Sequence, residues 1–319
     1  MIRFFGQIFV PMQSFWKETA TVAPSTRFSL TIMRALAILA ASAGGGSLVR
    51  AAPPSAETLS AATQSTDQPA TAAAAPTLDD LAGGQVTIVD LSYPLNAKSA
   101  YWPGENYKPF DLRTIATLER DGVLSKSFST PEHLGTHLDA PNHFERTGKS
   151  VDQLDPRDLF ATGVVIDVTG GVALSADYRL SLDDIARWEA EHGQIPTRAI
   201  VLLRTGWGRF WSEPARYQNH DLQGRMHFPG FSAEAVEFLL KERQARGVGL
   251  DTMSVDYGLS RDFAVHHVLG KAGASGLENL ARLDELPARG FWLSVAPIKI
   301  ETGTGGPARV FALFPEKKR

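Results

Sequence analysis

The sequence predicts an α/β domain, on three observations. Four short runs rich in β-branched residues read as strands. Two runs with apolar residues at helical spacing lie among them. Strands separated by helices in this way build α/β layers, and no internal repeat suggests a solenoid instead.

Taken in order, "VTIVDLSYPL" (Val86 to Leu95) opens with a β-branched run that Pro94 helps to end. "TGVVIDVTG" (Thr162 to Gly170) and "RAIVLLRTGW" (Arg198 to Trp207) read as buried strands, and "GVGLDTMSVD" starts as a fourth at Gly247. "SLDDIARWEAE" has Ser181 and Asp184 at capping-box spacing, with Leu182, Ile185 and Trp188 down one side. "SAEAVEFLLKERQARG" puts Ala235, Val236, Leu239 and Leu240 on one face and is expected to run to Gly247. Catalytic groups in such domains gather beyond strand ends.

The folded part is expected over 78–319. "MRALAILAASAGGGSLVRAAP", from Met33, has a basic residue, a short apolar run and a small-residue exit, the layout of a signal peptide. Residues 1–52 therefore read as a leader and predict export to a periplasm. The run is too short and too rich in Ala and Gly for a stable membrane span. Residues 53–77 are low-complexity linker. The formal net charge is −3 with no basic block, which argues against a nucleic-acid partner. Cysteine is absent, which removes thiolate nucleophiles and Cys-ligated metal sites. No GxGxxG or GxxxxGK signature suggests a nucleotide cofactor.

The chemistry concentrates in "HLGTHLDAPNHF" (133–144), which holds three of the chain's eight histidines. Gly135 and Pro141 argue against a long helix there. An extended stretch would put His133, His137 and Asp139 on one side, with Gly135 leaving room between the two rings. Imidazole and carboxylate suit a divalent ion such as zinc or manganese. Pro141 would stiffen the exit and place His143 beside the ligands, where an imidazole suits proton transfer. An isolated histidine is usually a surface residue, but this density is harder to explain that way. A second group, "DFAVHHVLGKAGASGLENL", carries His266, His267 and Glu278. Adjacent histidines cannot face the same way, so only one of His266 and His267 is expected to be a ligand.

These segments resemble the cyclase family of metal-dependent hydrolases, which includes bacterial kynurenine formamidases and isatin hydrolases. "HLGTHLDAPNH" matches every fixed position of a hallmark of the form HxGTHxDxPxH. "DLSYPLNAKSAYWPG", "LLRTGW", "HFPGFS", "GLDTMSVD" and "APIKIETGTGGPARVFAL" also look familial, so the resemblance spans about residues 86 to 313. It implies a swivelling β/β/α-type single domain with mixed sheets, and a homo-oligomer, dimer or tetramer. His133, His137, Asp139, His266 and Glu278 would be the metal ligands and His143 the catalytic histidine.

The expected reaction is hydrolysis of a C–N amide bond by metal-activated water, with one ion or two sharing Asp139 and Glu278. Zinc ranks ahead of manganese. Aryl formamides rank first as substrates and isatin-like cyclic amides second. A lactone or ester hydrolase, or a metal-bearing periplasmic binding protein without turnover, is the alternative. Tyr93, Tyr101, Trp102, Trp207, Phe210 and Trp211 are candidate pocket aromatics, and Arg204 or Arg209 would meet a substrate carboxylate. Glu132 is expected to point away from the ligands.

Overall fold

The computed structural model describes residues 74–316. The leader and almost all of the linker fall outside them. A short helix, α1 (Leu78–Ala82), starts the described fold, and the Thr77 hydroxyl accepts from the Asp80 N–H to cap it. Strand β1 (Val86–Asp90) follows. The chain then runs out into a two-stranded arm, β2 (Asp111–Ala116) and β3 (Ser125–Ser129), with a single helical turn, α2 (Leu118–Asp121), at its tip. Next come β4 (His137–Asp139), β5 (Phe160–Asp167), α3 (Thr169–Leu174), β6 (Arg179–Leu180) and α4 (Leu182–His192). Then follow β7 (Ile200–Arg204), α5 (Pro214–Gln218), β8 (Gly230–Phe231), α6 (Ala233–Glu242), β9 (Gly247–Leu250), α7 (Ala264–Ala272) and β10 (Ser275–Glu278). Two longer strands, β11 (Phe291–Pro297) and β12 (Gly305–Pro315), end the chain.

The main sheet closes on itself. Its order is β12-β11-β5-β7-β9-β10-β4, and β4 returns to pair with β12. Strands β5, β7, β9 and β10 run parallel, whereas β11, β12 and β4 join them through antiparallel pairings. β1 continues the edge of β12 beyond β4. The result is a seven-stranded mixed barrel with helices outside it, the mixed-sheet α/β fold that the sequence predicts.

Period-two alternation sorts the strands' apolar residues into two cores. Val164, Ile166, Val201, Leu203, Val248 and Leu250 face α4, α6 and α7, where Ile185, Trp188, Val236, Leu239 and Leu269 meet them. Ala161, Val165, Ile200, Leu202, Leu277, Phe291 and Leu293 fill the barrel. The filling is tight at Gly163, where an added Cβ would lie 2.0 Å from the Phe291 ring.

Helix α4 carries the expected Ser181–Asp184 capping box. Helix α6 stops at Glu242, short of the expected Gly247. Gln244 turns the chain through φ 52°, and Gly247 opens β9 instead. The register explains this, because a Cβ at Gly247 would meet the Ser275 carbonyl oxygen at 2.4 Å. No helix among the described residues is long and apolar enough to cross a membrane.

Candidate metal centre

The antiparallel seam between β4 and β10 builds the centre. Its register sets Glu278 opposite His137 and Leu277 opposite Leu138. The two leucines turn into the barrel, so the neighbouring His137, Asp139 and Glu278 share the other face. His266 reaches the same place from α7, and Gly270 lets that helix lie close to Pro141 and Glu145. His137, Asp139, His266 and Glu278 are all buried.

Three imidazoles point bare nitrogens inward, because each has its other nitrogen tied down. His137 Nδ1 donates to the Gly135 carbonyl oxygen at 2.9 Å, which leaves Nε2 as a lone pair. That Nε2 lies 3.2 Å from Asp139 Oδ1 and 3.4 Å from Glu278 Oε2. His266 Nδ1 meets Asp256 Oδ2 at 2.7 Å, and its Nε2 lies 3.4 Å from Asp139 Oδ2 and 3.3 Å from Glu278 Oε1. Thr304 Oγ1 donates to Glu132 Oε2, so it accepts from His133 Nε2–H at 2.9 Å. His133 Nδ1 is then a lone pair, only 2.6 Å from Asp139 Oδ1. Two acceptors that close repel unless a proton or cation lies with them.

This donor set fits a divalent cation. His137 Nε2 and Asp139 Oδ2 are buried without any hydrogen-bond partner, although buried polar atoms are nearly always paired. Two groups of ligand atoms come within metal-binding reach of one another: His133, His137 and Asp139, then Asp139, His143 and His266. Asp139 belongs to both. Burial opposes its ionisation, yet positive charge on His137 and His133, which a bound cation would supply in their place, holds its carboxyl well below the usual range. Burial pushes the Glu278 carboxyl up, and the Asp139 charge adds to that. Two buried carboxylates in this conflict are relieved by a bound cation.

His143 stands apart in character. It sits on the short 3-10 turn Pro141–His143 and stacks on His133, ring centroids 3.8 Å apart. Burial, and then His133, His266 and His137 against the opposing pull of Asp139, push its pKa down to about 3. The ring is therefore neutral and borders a cavity of about 220 Å³ together with the ligands. Tyr101, Trp102, Tyr107, Phe144, Phe263 and Met253 form the cavity's other walls. Among the described residues, no lysine or arginine lines it.

A family model described as "Putative cyclase" matches residues 89–257. The chain belongs to this family. Isatin hydrolase from Roseibium aggregatum is 36% identical over 252 residues, 74% of this chain and 95% of that one. Kynurenine formamidase from Bacillus cereus is 31% identical over 222 residues, 69% of this chain and 94% of that one. The solved structure of isatin hydrolase A from Labrenzia aggregata, bound to benzyl benzoate, superposes with a TM-score of 0.70 at 37% identity. It covers 75% of this chain and 98% of that one.

The six chemistry-bearing residues singled out in the sequence come together, but the local backbone differs from the extended stretch expected. Only 137–139 is strand, and Gly135 turns with φ 64°. A Cβ there would lie 2.7 Å from Leu95 Cδ2, so the glycine serves the turn rather than the spacing of two rings. His267 is exposed while His266 is buried, as adjacent positions require. Glu132 lies outside the ligand atoms but supports His133 through Thr304.

The pocket aromatics divide. Tyr101 and Trp102 line the cavity. Tyr93 stacks on Trp211 at 4.0 Å and donates to the Gly208 carbonyl. Trp207 is buried and donates its indole N–H to the Tyr217 carbonyl. Phe210 lies under the guanidinium groups of Arg209 and Arg216. Arg204 pairs with Asp167 at 2.7 Å, across the C-terminal ends of β7 and β5. Tyr93, Arg204, Trp207, Phe210 and Trp211 do not border the cavity, because each is committed to packing or to an ion pair elsewhere.

Sequence reasoning missed the supporting residues. Asp256 holds His266 and also accepts from the Val265 and His266 N–H groups, which fixes the start of α7. Asn279 donates to the Gly135 carbonyl and accepts from the Tyr217 hydroxyl. The one available signal was the Asp at the end of "GLDTMSVD", ten residues before His266.

Proposed function

We propose that this protein is a hydrolase that opens the C–N amide bond of a small, neutral aromatic lactam of the isatin type, with a divalent metal ion. The carrying observation is the convergence of three lone-pair nitrogens and two carboxylates beneath an aromatic cavity without a cation. His133, His137, Asp139, His266 and Glu278 would hold the ion. Such an ion supplies a Lewis acid and a water of lowered pKa. Zinc and manganese both suit this nitrogen and oxygen set, and zinc ranks first.

The chain's own groups supply the rest. His143, neutral and next to the ligands, takes a proton from the attacking water and returns it to the leaving nitrogen. Tyr101, Trp102, Phe144 and Phe263 hold the substrate's ring and exclude bulk water. The cavity lining favours a neutral substrate, since among the described residues it holds no lysine or arginine. An N-formylkynurenine-like molecule carries an amino-acid carboxylate, and the described residues around this cavity offer no lysine or arginine to meet it. On that ground we rank isatin-like cyclic amides ahead of the aryl formamides that the sequence puts first.

Metal-stripped protein, reloaded separately with zinc and manganese, tests the reading against a panel of lactams, formamides and lactones. Ring-opening of neutral aromatic lactams should dominate. Preferred lactone cleavage with negligible amide cleavage would overturn the C–N assignment. For the leader we propose export, supported by its signal-peptide layout. A chain recovered from the cytoplasm with Met1 or Met33 as its first residue would count against it.

A further inference from the structure

We propose that Phe263 sets the largest substrate this cavity admits, and that a strained backbone turn keeps its ring in place. The proposal rests on the reading of the cavity as the site of lactam opening. It narrows the substrate to a flat, two-ring lactam without a bulky group on its amide nitrogen.

Phe263 stands in the left-handed region, at φ 48° and ψ 43°. A bulky side chain rarely takes that conformation, because its Cβ crowds the neighbouring peptide. Among the described residues, the other non-glycine positions with positive φ are Arg198, Asn219, Gln244, Asn279, Arg282 and Thr302. All six are polar, and Phe263 alone is aromatic. Core packing does not account for the strain, since Phe263 is only half-buried and belongs to neither core.

One carboxylate imposes the turn. Asp256 Oδ1 accepts from the Ser260 hydroxyl at 3.2 Å and from the Val265 N–H at 3.0 Å. The Phe263 N–H donates to the same Ser260 oxygen at 3.2 Å. The chain from 256 to 265 is thus pinned at both ends, and its reversal into α7 falls on Phe263. Strain of this kind persists only where the surroundings over-determine it, and it gathers at functional sites.

The reversal carries the ring to the cavity wall. There it meets Trp102 edge to face at 5.5 Å and Phe144 at 5.5 Å, and lies 5.9 Å from the His266 ring. It therefore bounds the cavity next to a candidate metal ligand, where the reacting amide would lie. The cavity's volume of about 220 Å³ is below the roughly 300–1,000 Å³ of sites for drug-sized molecules. Two fused rings suit that space. An aryl group added at the amide nitrogen would have to displace Phe263. The pinned backbone, with Trp102 and Phe144 alongside, leaves the ring little room to turn.

The test uses N-methylisatin and N-benzylisatin, which both lack the amide N–H and differ chiefly in size. The full chain, loaded with metal, is compared with Phe263→Gly and Phe263→Asn by kcat/KM and by calorimetric Kd. The wild type should prefer the methyl compound by about 10–100-fold in both measures. Either variant should cut that preference to about threefold with metal content unchanged, because glycine and asparagine accept the turn and carry no ring. Melting temperature separates strain from packing. Phe144 lines the same cavity at an ordinary φ of −121°. Phe144→Gly should melt lower than the wild type, and Phe263→Gly should not, as release of strain offsets the lost contacts. An unchanged size preference in both Phe263 variants overturns the size limit. A fall in melting temperature of Phe263→Gly as deep as that of Phe144→Gly overturns the role of strain. A wild type that binds both compounds but opens neither overturns the C–N reading alone, since the two dissociation constants still report the size limit. One that binds neither overturns both.

Discussion

The β4–β10 seam and the β2–β3 arm pose opposite problems. At the seam the chain gathers five candidate ligand side chains, four of them buried, and leaves two polar atoms without partners. On the arm it exposes six large apolar side chains and buries almost nothing. Each is costly for an isolated chain, since buried polar atoms want partners and clustered apolar surface wants cover. A bound ion would relieve the seam, and a covering surface would relieve the arm. The difference teaches that the seam is held rigid around its ligand atoms, whereas the arm relies on the pairing of its own two strands. The supports bear this out: Gly135, Asp256 and Thr304 each fix one imidazole, and among the described residues no comparable hydrogen bond from the barrel fixes the arm.

The strongest break in the seam is Asp139→Asn. Asp139 is common to both ligand groups, so one change removes a charge from each. We expect metal content near zero and activity below detection, with a folded far-UV spectrum. Retained stoichiometric metal, measured by elemental analysis, would shift the centre away from Asp139. Next in size is His143→Ala, which should keep the metal and cost about 10²–10⁴ in kcat. Unchanged turnover would remove the proton-transfer role and favour a binding protein.

A smaller effect separates holding from chelating. Asp256→Asn keeps the shape beside His266 but weakens the acceptor that fixes its ring. Loss of a supporting carboxylate typically costs about 10–100-fold in metal affinity. Competitive chelation should read a loss of that size here. No change would mean that α7 alone sets the ring.

The pattern of what was legible follows the same physics. The parallel half of the barrel and helices α4 and α6 were readable because they bury long continuous or periodic apolar faces. The antiparallel strands were harder. β12 opens with Gly305, Gly306 and Pro307, which read as turn residues, yet they lie against β4. A Cβ at Gly305 would meet the Leu138 carbonyl oxygen at 2.4 Å. The ligands were legible because four of the six chemistry-bearing residues fall within eleven positions. Their supports were not, since Thr304 lies 171 residues from His133 and only the closed barrel joins them. Trp207 and Trp102 looked alike as candidates, because an aromatic residue in sequence does not disclose whether it packs or lines a cavity.

Barrel packing offers a fourth test, of stability alone. Gly163→Ala would drive a methyl group into the Phe291 ring. Overpacking of this kind costs about 1–3 kcal/mol. Urea unfolding should show it as a lower midpoint with an unchanged slope, and Gly163→Ala/Phe291→Leu should recover part of the loss. A neutral single variant would mean that the barrel yields at β11.

The smallest effect lies far from both regions and marks the scale of ordinary surface electrostatics. His227 Nδ1 is 2.8 Å from Asp177 Oδ2, and its Nε2 is 3.3 Å from Asp221 Oδ2, which Arg225 also holds. The hydrogen bond to Asp177 raises the His227 pKa above its ordinary value, and Asp221 adds to the rise. A histidine with a raised folded-state pKa stabilises fully below its unfolded value of about 6.5, and this contribution fades as pH climbs through the folded value. The pair is partly exposed, so its worth is below about 1 kcal/mol. His227→Gln should therefore be less stable than wild type at pH 5.5 and nearly equal to it at pH 9. A stability gap of the same size at both pH values would assign the histidine's role to packing. The gap should also shrink in high salt, which screens exposed charges but leaves the buried seam unaffected.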